Sequence, residues 1–357
     1  MRVLFVNDNM SLGGVQSVNQ TLQNKLKQNI KCEYFVYSNR KAYFKPKTKI
    51  NIAKISIISR ILRKFKHGDR VVQDANYLID FLKESEFDVV VLQAEKILLA
   101  PFISKEFPNI KLVGWAHSSA DAYYNQYFVR KIENFRESLR TLDQLICLTK
   151  EDSGIFSKDI AHCTIIPNPI NIKNAESSSL KSKKISFTGR LLVETKGIDI
   201  LIKLADLIPN EWTIEVAGDG NRKENKKIRN LLKKIDNHGK IKFVGRIEGD
   251  KLRDHYKESS IFISTSRIEG FGVVILEAME YGLPIVSTPT SGSKEILNNG
   301  EFGFITSDFT EKEIADKLFM LINNYNLRKE YQEKSLKRVL EYDVNRISKL
   351  WISEVFS

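Results

Sequence analysis

Two glutamates, Glu269 and Glu277, stand with seven residues between them and enclose the run Gly270-Phe271-Gly272. A carboxylate accepts hydrogen bonds from hydroxyls, so two of them can hold the two ends of an elongated polyhydroxyl ligand. Ile261 to Ser266 reads as a buried strand, and a helix should follow over 273–282. Gly270 and Gly272 have no Cβ, so the backbone between strand and helix can come close to a ligand. The N–H groups around Phe271, Gly272 and Val273, at the start of that helix, lack intrahelical partners and favour an anion or a polar oxygen. Glu269 falls in the loop and Glu277 roughly a turn and a half into the helix, about 7 Å along its axis at ~1.5 Å per residue. Carboxylates near helix starts are common because they suit the positive end of the helix dipole, so the pair alone says little.

More of the chain joins the pattern. Gly282-Leu283-Pro284 follows the helix and leads into a strand at Ile285 to Ser287. Upstream, Gly189-Arg190-Leu191 ends a strand and Lys196-Gly197 opens a helix. An arginine fork and a compact lysine charge at that place suit a diphosphate. Together these runs closely resemble the signature of the retaining glycosyltransferases of family 4, E-G-F-G-x-x-x-x-E-A followed by G-x-P, with G-R-L and K-G before it. The resemblance implies that Arg190 and Lys196 neutralise a donor pyrophosphate, that Glu277 binds ribose hydroxyls, and that Glu269 holds the transferred sugar beside the Phe271 and Gly272 amides. It also implies a UDP-sugar donor and no cofactor. The chain has no Asp-x-Asp pair, so the two cations are expected to replace a metal clamp.

The same resemblance extends over nearly the whole chain. His117 ends the run Lys111 to Ala116 and matches a histidine that contacts the transferred sugar; its neutral form can donate or accept near pH 7. Gly13-Gly14 follows the first strand, where the family's loop approaches donor phosphate and acceptor, although Gln16 stands where a glutamate is often found. Ile166-Pro167-Asn168-Pro169 resembles a hinge, and Gly218-Asp219-Gly220 a strand-end turn. The backbone around Ile247, after Phe243-Val244-Gly245-Arg246, should meet the nucleotide base.

Composition bounds these readings. The chain has 357 residues, enough for two domains, and no apolar run approaches the roughly 18 residues of a membrane span. The opening Met1 to Asn7 is too short for a signal peptide and reads as a first strand. Cys32, Cys147 and Cys163 are far apart and without metal-ligand spacing, which fits a reducing cytoplasm. Net charge is +12, and from Arg40 to Arg70 there are eleven Lys or Arg against one acid, Asp69. No nucleic-acid motif accompanies the charge, so nucleic acid is not expected as a partner. Ile55, Ile58, Leu62 and Phe65 alternate at helical spacing with Arg60, Arg63 and Lys64. That pattern suits an interfacial helix at an anionic membrane, or an ordinary surface helix.

Strand-then-helix order repeats along the chain and argues for an α/β fold with parallel sheets. Strands are expected near 2–6, 32–37, 88–93, 111–116, 144–148 and 163–166, then near 184–188, 212–217, 241–244, 261–265, 284–287 and 303–305. The resemblance turns this into a GT-B architecture: two doubly wound Rossmann-like domains facing across a cleft. The expected domains are 1–168 on the acceptor side, 169–340 on the nucleotide-sugar side, and a helix at 341–357 that crosses back, anchored by Trp351 and Phe356. The Ser- and Lys-rich stretch 174–184 reads as a linker. The expected activity is retaining, metal-independent transfer of a sugar to a hydroxyl of a polysaccharide or lipid-linked glycan. The place of action is the cytoplasm, at the inner face of the cell membrane if the basic segment binds lipid. Two competitors stand beside it: a non-catalytic GT-B partner subunit, and another GT-B enzyme such as a nucleotide-sugar epimerase. Intact Glu269, Glu277, Arg190 and Lys196 argue against the first, and the glutamate before the glycine turn against the second.

Overall fold

The computed structural model describes residues 1–10, 13–27, 30–38, 48–53, 69–173, 176–236 and 238–357. The chain divides into two compact units, one of Met1–Asn171 with Val344–Ser357, the other of Ile172–Asp343. Among the described residues the first holds a seven-stranded sheet: β1 Arg2–Asn9, β2 Lys31–Ser38, β3 Ile50–Ile52, β4 Val89–Gln93, β5 Lys111–Trp115, β6 Gln144–Cys147 and β7 Cys163–Ile165. Their order is β3-β2-β1-β4-β5-β6-β7, and every neighbouring pair is parallel. The second holds six: β8 Lys184–Thr188, β9 Thr213–Ala217, β10 Ile241–Gly245, β11 Ile261–Ser264, β12 Ile285–Ser287 and β13 Phe304–Ile305. They run β10-β9-β8-β11-β12-β13, also parallel throughout.

The central strands are apolar without alternation because helices cover both sheet faces. Val3 to Val6 on β1 and Ile261 to Ile263 on β11 are fully buried. The helix Gly14–Leu26 shows the complementary pattern, with Val18, Leu22 and Leu26 buried at four-residue spacing. In each sheet the chain starts in the middle, winds to one edge, then returns to the other side. That reversal lies between β1 and β4 in the first unit and between β8 and β11 in the second. At such a switch point the connections leave in opposite directions and open a crevice at the strands' carboxyl ends.

The final helix, Val344–Glu354, packs within the first unit against the helix Gly14–Leu26. Its Trp351 is fully buried, with ring centres 4.6 Å from Trp115, 6.3 Å from Phe5 and 5.7 Å from Phe356. Lys111 Nζ donates to the Val355 carbonyl at 2.7 Å and Gln144 Nε2 to the Glu354 carbonyl at 3.0 Å, tying the last turn to the sheet.

Several elements depart from the sequence reading. The edge strand β3 is three residues long inside a basic stretch, too short to show a period. After β4 the chain forms a 3-10 turn at Ala94–Leu99 and a helix at Ala100–Glu106, and a π-helical turn lies at Tyr123–Tyr127. The expected linker is a strap. Leu180 is fully buried at φ +58°, and Ser178 Oγ donates to the Ser259 carbonyl. Arg328 Nε and Gln332 Nε2 donate to the Leu180 and Ser178 carbonyls. The Ser178 hydroxyl also accepts from the Leu180 N–H at 3.0 Å, so serine here signals hydrogen bonding rather than freedom. The amphipathic pattern from Ile55 to Phe65 lies outside the described residues. At its flanks, Lys49 pairs with Glu33 at 3.4 Å and Arg70 with Asp8 at 3.0 Å, so these two cations are already committed. No helix among the described residues is long and apolar enough to cross a membrane.

Trp351→Ala should cost about 3–5 kcal/mol, the usual loss for a buried large aromatic. Hydrogen exchange should read this as faster opening of β1 and β5 amides, with the second sheet unchanged. Equal protection in both proteins would show that the helix adds nothing to that core.

Candidate active site

In the second unit the switch point lies between the ends of β8 and β11, and the chain laces these ends together. Gly197 sits at φ +63°, and a Cβ there would stand 2.0 Å from the Thr265 carbonyl oxygen. Only glycine permits that approach. Thr265 Oγ1 donates to the Lys196 carbonyl at 2.8 Å, while the Arg267 and Ile268 N–H groups both donate to the Thr195 carbonyl, at 2.9 and 3.2 Å. The Arg267 guanidinium grips Asp199 with two bonds of 2.7 Å each. Two segments some seventy residues apart are thereby fixed in one register, and the Lys196 ammonium forms an ion pair with Glu269 Oε2. Both side chains keep partial exposure, and Ser266 Oγ donates to the same carboxylate at 3.4 Å. The sequence placed Lys196 and Glu269 at one ligand; the structure puts them in direct contact.

Arg190 follows β8 on the same edge. It is exposed, and among the described residues its guanidinium has no ion-pair partner. Its backbone is held by the next turn. Gly218, at φ +151°, lies so close to the Gly189 carbonyl that a Cβ would stand 1.8 Å from its oxygen, and the Leu191 N–H donates to the Asp219 carbonyl at 2.9 Å. Ile247 is half-buried in the loop after β10, on the same sheet edge.

The helix expected after the glycine turn spans Val273–Glu280. Gly272 is its N-cap in the left-handed region, φ 90° and ψ 56°, with no side-chain cap, so the first turn's N–H groups have no side-chain acceptor. Below the turn, a Cβ on Gly292 would stand 2.2 Å from the Phe271 carbonyl oxygen, and the buried Phe271 ring packs on Tyr342 at 5.6 Å. Gly270, Phe271 and Gly272 are buried, while Val273 and Glu277 are half-buried. Glu277 Oε2 accepts a 2.9 Å hydrogen bond from the Tyr256 hydroxyl. Burial pushes the Glu277 carboxyl above the usual range; Tyr256's hydrogen bond and Lys173 oppose this, and Glu280 adds to it. Tyr256 escaped the sequence reading because nothing local in the helix Asp250–Lys257 marks it.

Gly14 and His117 belong to the first unit. Gly14 opens its helix with open space where a Cβ would stand, and Gln16 folds over Gly13, its Nε2 donating to the Asn9 carbonyl at 3.4 Å. His117 follows β5. Its Nε2 contacts Gln93 Oε1 at 2.9 Å, and Asn19 Nδ2 donates to the same oxygen at 2.6 Å. The Gln93 oxygen can only accept, so both neighbours donate to it and the imidazole proton lies on Nε2. The ring lies 4.3 Å from Trp115, and burial pushes its pKa down to about 3, so it is neutral at pH 7. Gln93 and Asn19 also escaped the sequence reading, since three separate elements supply the chain Asn19–Gln93–His117. Among the described residues no three His, Cys, Asp or Glu side chains cluster closely enough to hold a metal ion.

Residues 170–338 match the family model described as glycosyl transferases group 1. An uncharacterized glycosyltransferase of Haemophilus influenzae is 27% identical over 97% of both chains. A Campylobacter jejuni protein, the α-1,4-N-acetyl-D-galactosaminyltransferase named for a diNAcBac-PP-undecaprenol-linked GalNAc disaccharide, is 22% identical over 99% of this chain and 97% of its own. Among solved structures, Anabaena Alr3699/HepE in complex with UDP and glucose matches with a TM-score of 0.81 over 100% of both chains, at 17% identity. That likeness extends the GT-B fold to the whole chain. With this match over residues 170–338 and these relatives, the protein is a glycosyltransferase.

Proposed function

We propose that the enzyme transfers a sugar from a UDP-sugar to a hydroxyl of a polysaccharide or lipid-linked glycan, with retention at the anomeric carbon and without a metal or other cofactor. The observation that carries this reading is the lacing of 194–199 onto 265–269, which sets Lys196 against Glu269 at the switch point of the second sheet. The Lys196 ammonium has three donors, so it can keep Glu269 and still take a phosphate oxygen. Arg190, without an ion-pair partner among the described residues, supplies a second cation for the diphosphate. Glu277 takes ribose hydroxyls, the backbone near Ile247 meets the base, and Gly14 lets its loop approach the donor phosphate. On the second unit Glu269 and the amides of Phe271, Gly272 and Val273 hold the sugar, and on the first unit the family resemblance gives His117 a sugar contact.

In this reading no side chain acts as nucleophile. The acceptor oxygen bonds to the anomeric carbon on the face that the phosphate leaves, and the acceptor proton passes to the departing phosphate oxygen. Fixed cations stabilise the charge that develops on the diphosphate. The UDP bound by HepE supports the donor, and the name of the Campylobacter relative supports a lipid-linked acceptor. Such an acceptor would place the enzyme in the cytoplasm at the inner membrane face, with the basic segment on anionic lipid.

Arg190→Ala and Lys196→Ala should each lower turnover by about 10²–10³, while EDTA leaves the unmodified enzyme unaffected. The assay is UDP release from UDP-glucose and UDP-N-acetylglucosamine. Activity lost in EDTA and restored by magnesium or manganese would overturn the metal-free reading.

Vesicles with anionic lipid should sediment the protein, and salt should weaken the binding. Each cation near the surface adds about 1 kcal/mol, screened beyond a Debye length of ~10 Å at 0.1 M salt. Replacing Arg60, Arg63 and Lys64 by Gln should remove the salt-sensitive part, and Leu62 and Phe65 by Ser the rest. A protein that ignores such vesicles at low salt does not bind lipid through this segment.

A further inference from the structure

Tyr256 lies outside the runs that carry the family resemblance, yet its hydroxyl meets Glu277. Tyr256 is buried and its phenol is confined: its ring stacks on Tyr281 at 5.6 Å and meets Phe262 at 6.0 Å and His255 at 5.5 Å. A ring so packed cannot swing away, so its hydroxyl is a fixed donor on Glu277 Oε2. One lone-pair direction of that oxygen is thereby used, and the carboxylate plane is set by the protein rather than by a ligand. Glu277 is half-buried, so the remaining acceptor sites are those left for a ligand hydroxyl.

We propose that Tyr256 is a positioning residue that orients Glu277 for a ribose hydroxyl, and so makes the donor site select ribonucleotides over deoxyribonucleotides. The proposal rests on the UDP-sugar reading above. A carboxylate with a fixed plane holds a hydroxyl at little cost in side-chain entropy, and a ligand lacking that hydroxyl leaves the acceptor unpaired. The same bond has an electrostatic effect. Burial favours the neutral acid, and Glu280 favours it further; Tyr256 and Lys173 favour the charged form, while the Tyr281 phenol and the His255 imidazole are titratable groups packed on the Tyr256 ring. Removing the Tyr256 hydroxyl takes away the hydrogen bond that stabilises the carboxylate, so Glu277 should take up its proton at a higher pH.

The test is calorimetry of the full chain with UDP, 2′-deoxy-UDP and 3′-deoxy-UDP across pH. The unmodified protein should bind UDP about tenfold or more tightly than at least one deoxy analogue. Tyr256→Phe keeps the ring packing. It should weaken UDP about tenfold yet leave that deoxy analogue nearly unchanged, so the preference collapses. The preference should also fade on acidification, beginning at a higher pH in Tyr256→Phe; taking the ratio of two diphosphates cancels their shared titration. Merely loosened packing would weaken all three ligands alike at every pH. Glu277→Gln should remove the preference by itself, and Tyr256→Phe added to it should change nothing more. A preference that survives Tyr256→Phe, or that Glu277→Gln leaves intact, overturns the inference. An unmodified protein that binds none of the three overturns the UDP-sugar reading instead.

Discussion

The second unit is organised around one close contact, the Gly197 backbone against the Thr265 carbonyl. A carbonyl that near a Cα can be reached only by a residue without a Cβ. Once it is reached, the Thr195 carbonyl can take two N–H groups from 267–268, and Arg267 can span to Asp199. These are short bonds between backbones or planar groups, so they leave little play. The side chains on the two laced segments then have no choice but to meet, and Lys196 and Glu269 do. A largely buried ion pair gives up in desolvation much of what it gains in attraction, so it contributes little to stability by itself. Its importance is positional: the laced backbones bring the two side chains together at the switch point, and Glu269 then holds the Lys196 ammonium there.

Glycine has a second, similar use nearby. Gly218 against Gly189 and Gly292 against Phe271 are both places where main chain lies on main chain. The loops after β8, β9 and β11 are thus held by backbone contacts, while their side chains stay available for a ligand. The first unit solves the corresponding problem with side chains. There a helix, a strand end and a loop each send one group into the chain Asn19–Gln93–His117, with Trp115 packed against the imidazole.

The fold is legible where the pattern is local. Continuous apolar runs such as Val3 to Val6 and Ile261 to Ile263, bounded by polar residues, read directly as buried strands and are β1 and β11. The three-residue β3 and the turns after β4 carry no period, and so escape a reading by pattern. The strap at 176–183 reads as a linker because serine composition does not say whether a hydroxyl faces water or a carbonyl, and Ser178 faces the Ser259 carbonyl. The glycine-flanked glutamates and the Arg190 and Lys196 pair are visible because each lies within a short run. Tyr256, Gln93, Asn19 and Asp199 are not. Each matters through a partner at least twenty-one residues away, and a single sequence gives no account of which distant side chains meet.

The packing of Trp351 between Phe5 and Trp115 has a consequence for the order in which the molecule forms. The ribosome makes the first unit's sheet early, yet the helix that covers β1 is made only after the whole second unit. Domains that fold during synthesis usually do so as their final residue clears the exit. Here the first unit stays open along one side until the whole of Ile172–Asp343 has been made. Its partly built core, with two large aromatic rings uncovered, is the species that a nascent-chain chaperone would meet, and a chain stalled before Val344 would never bury them.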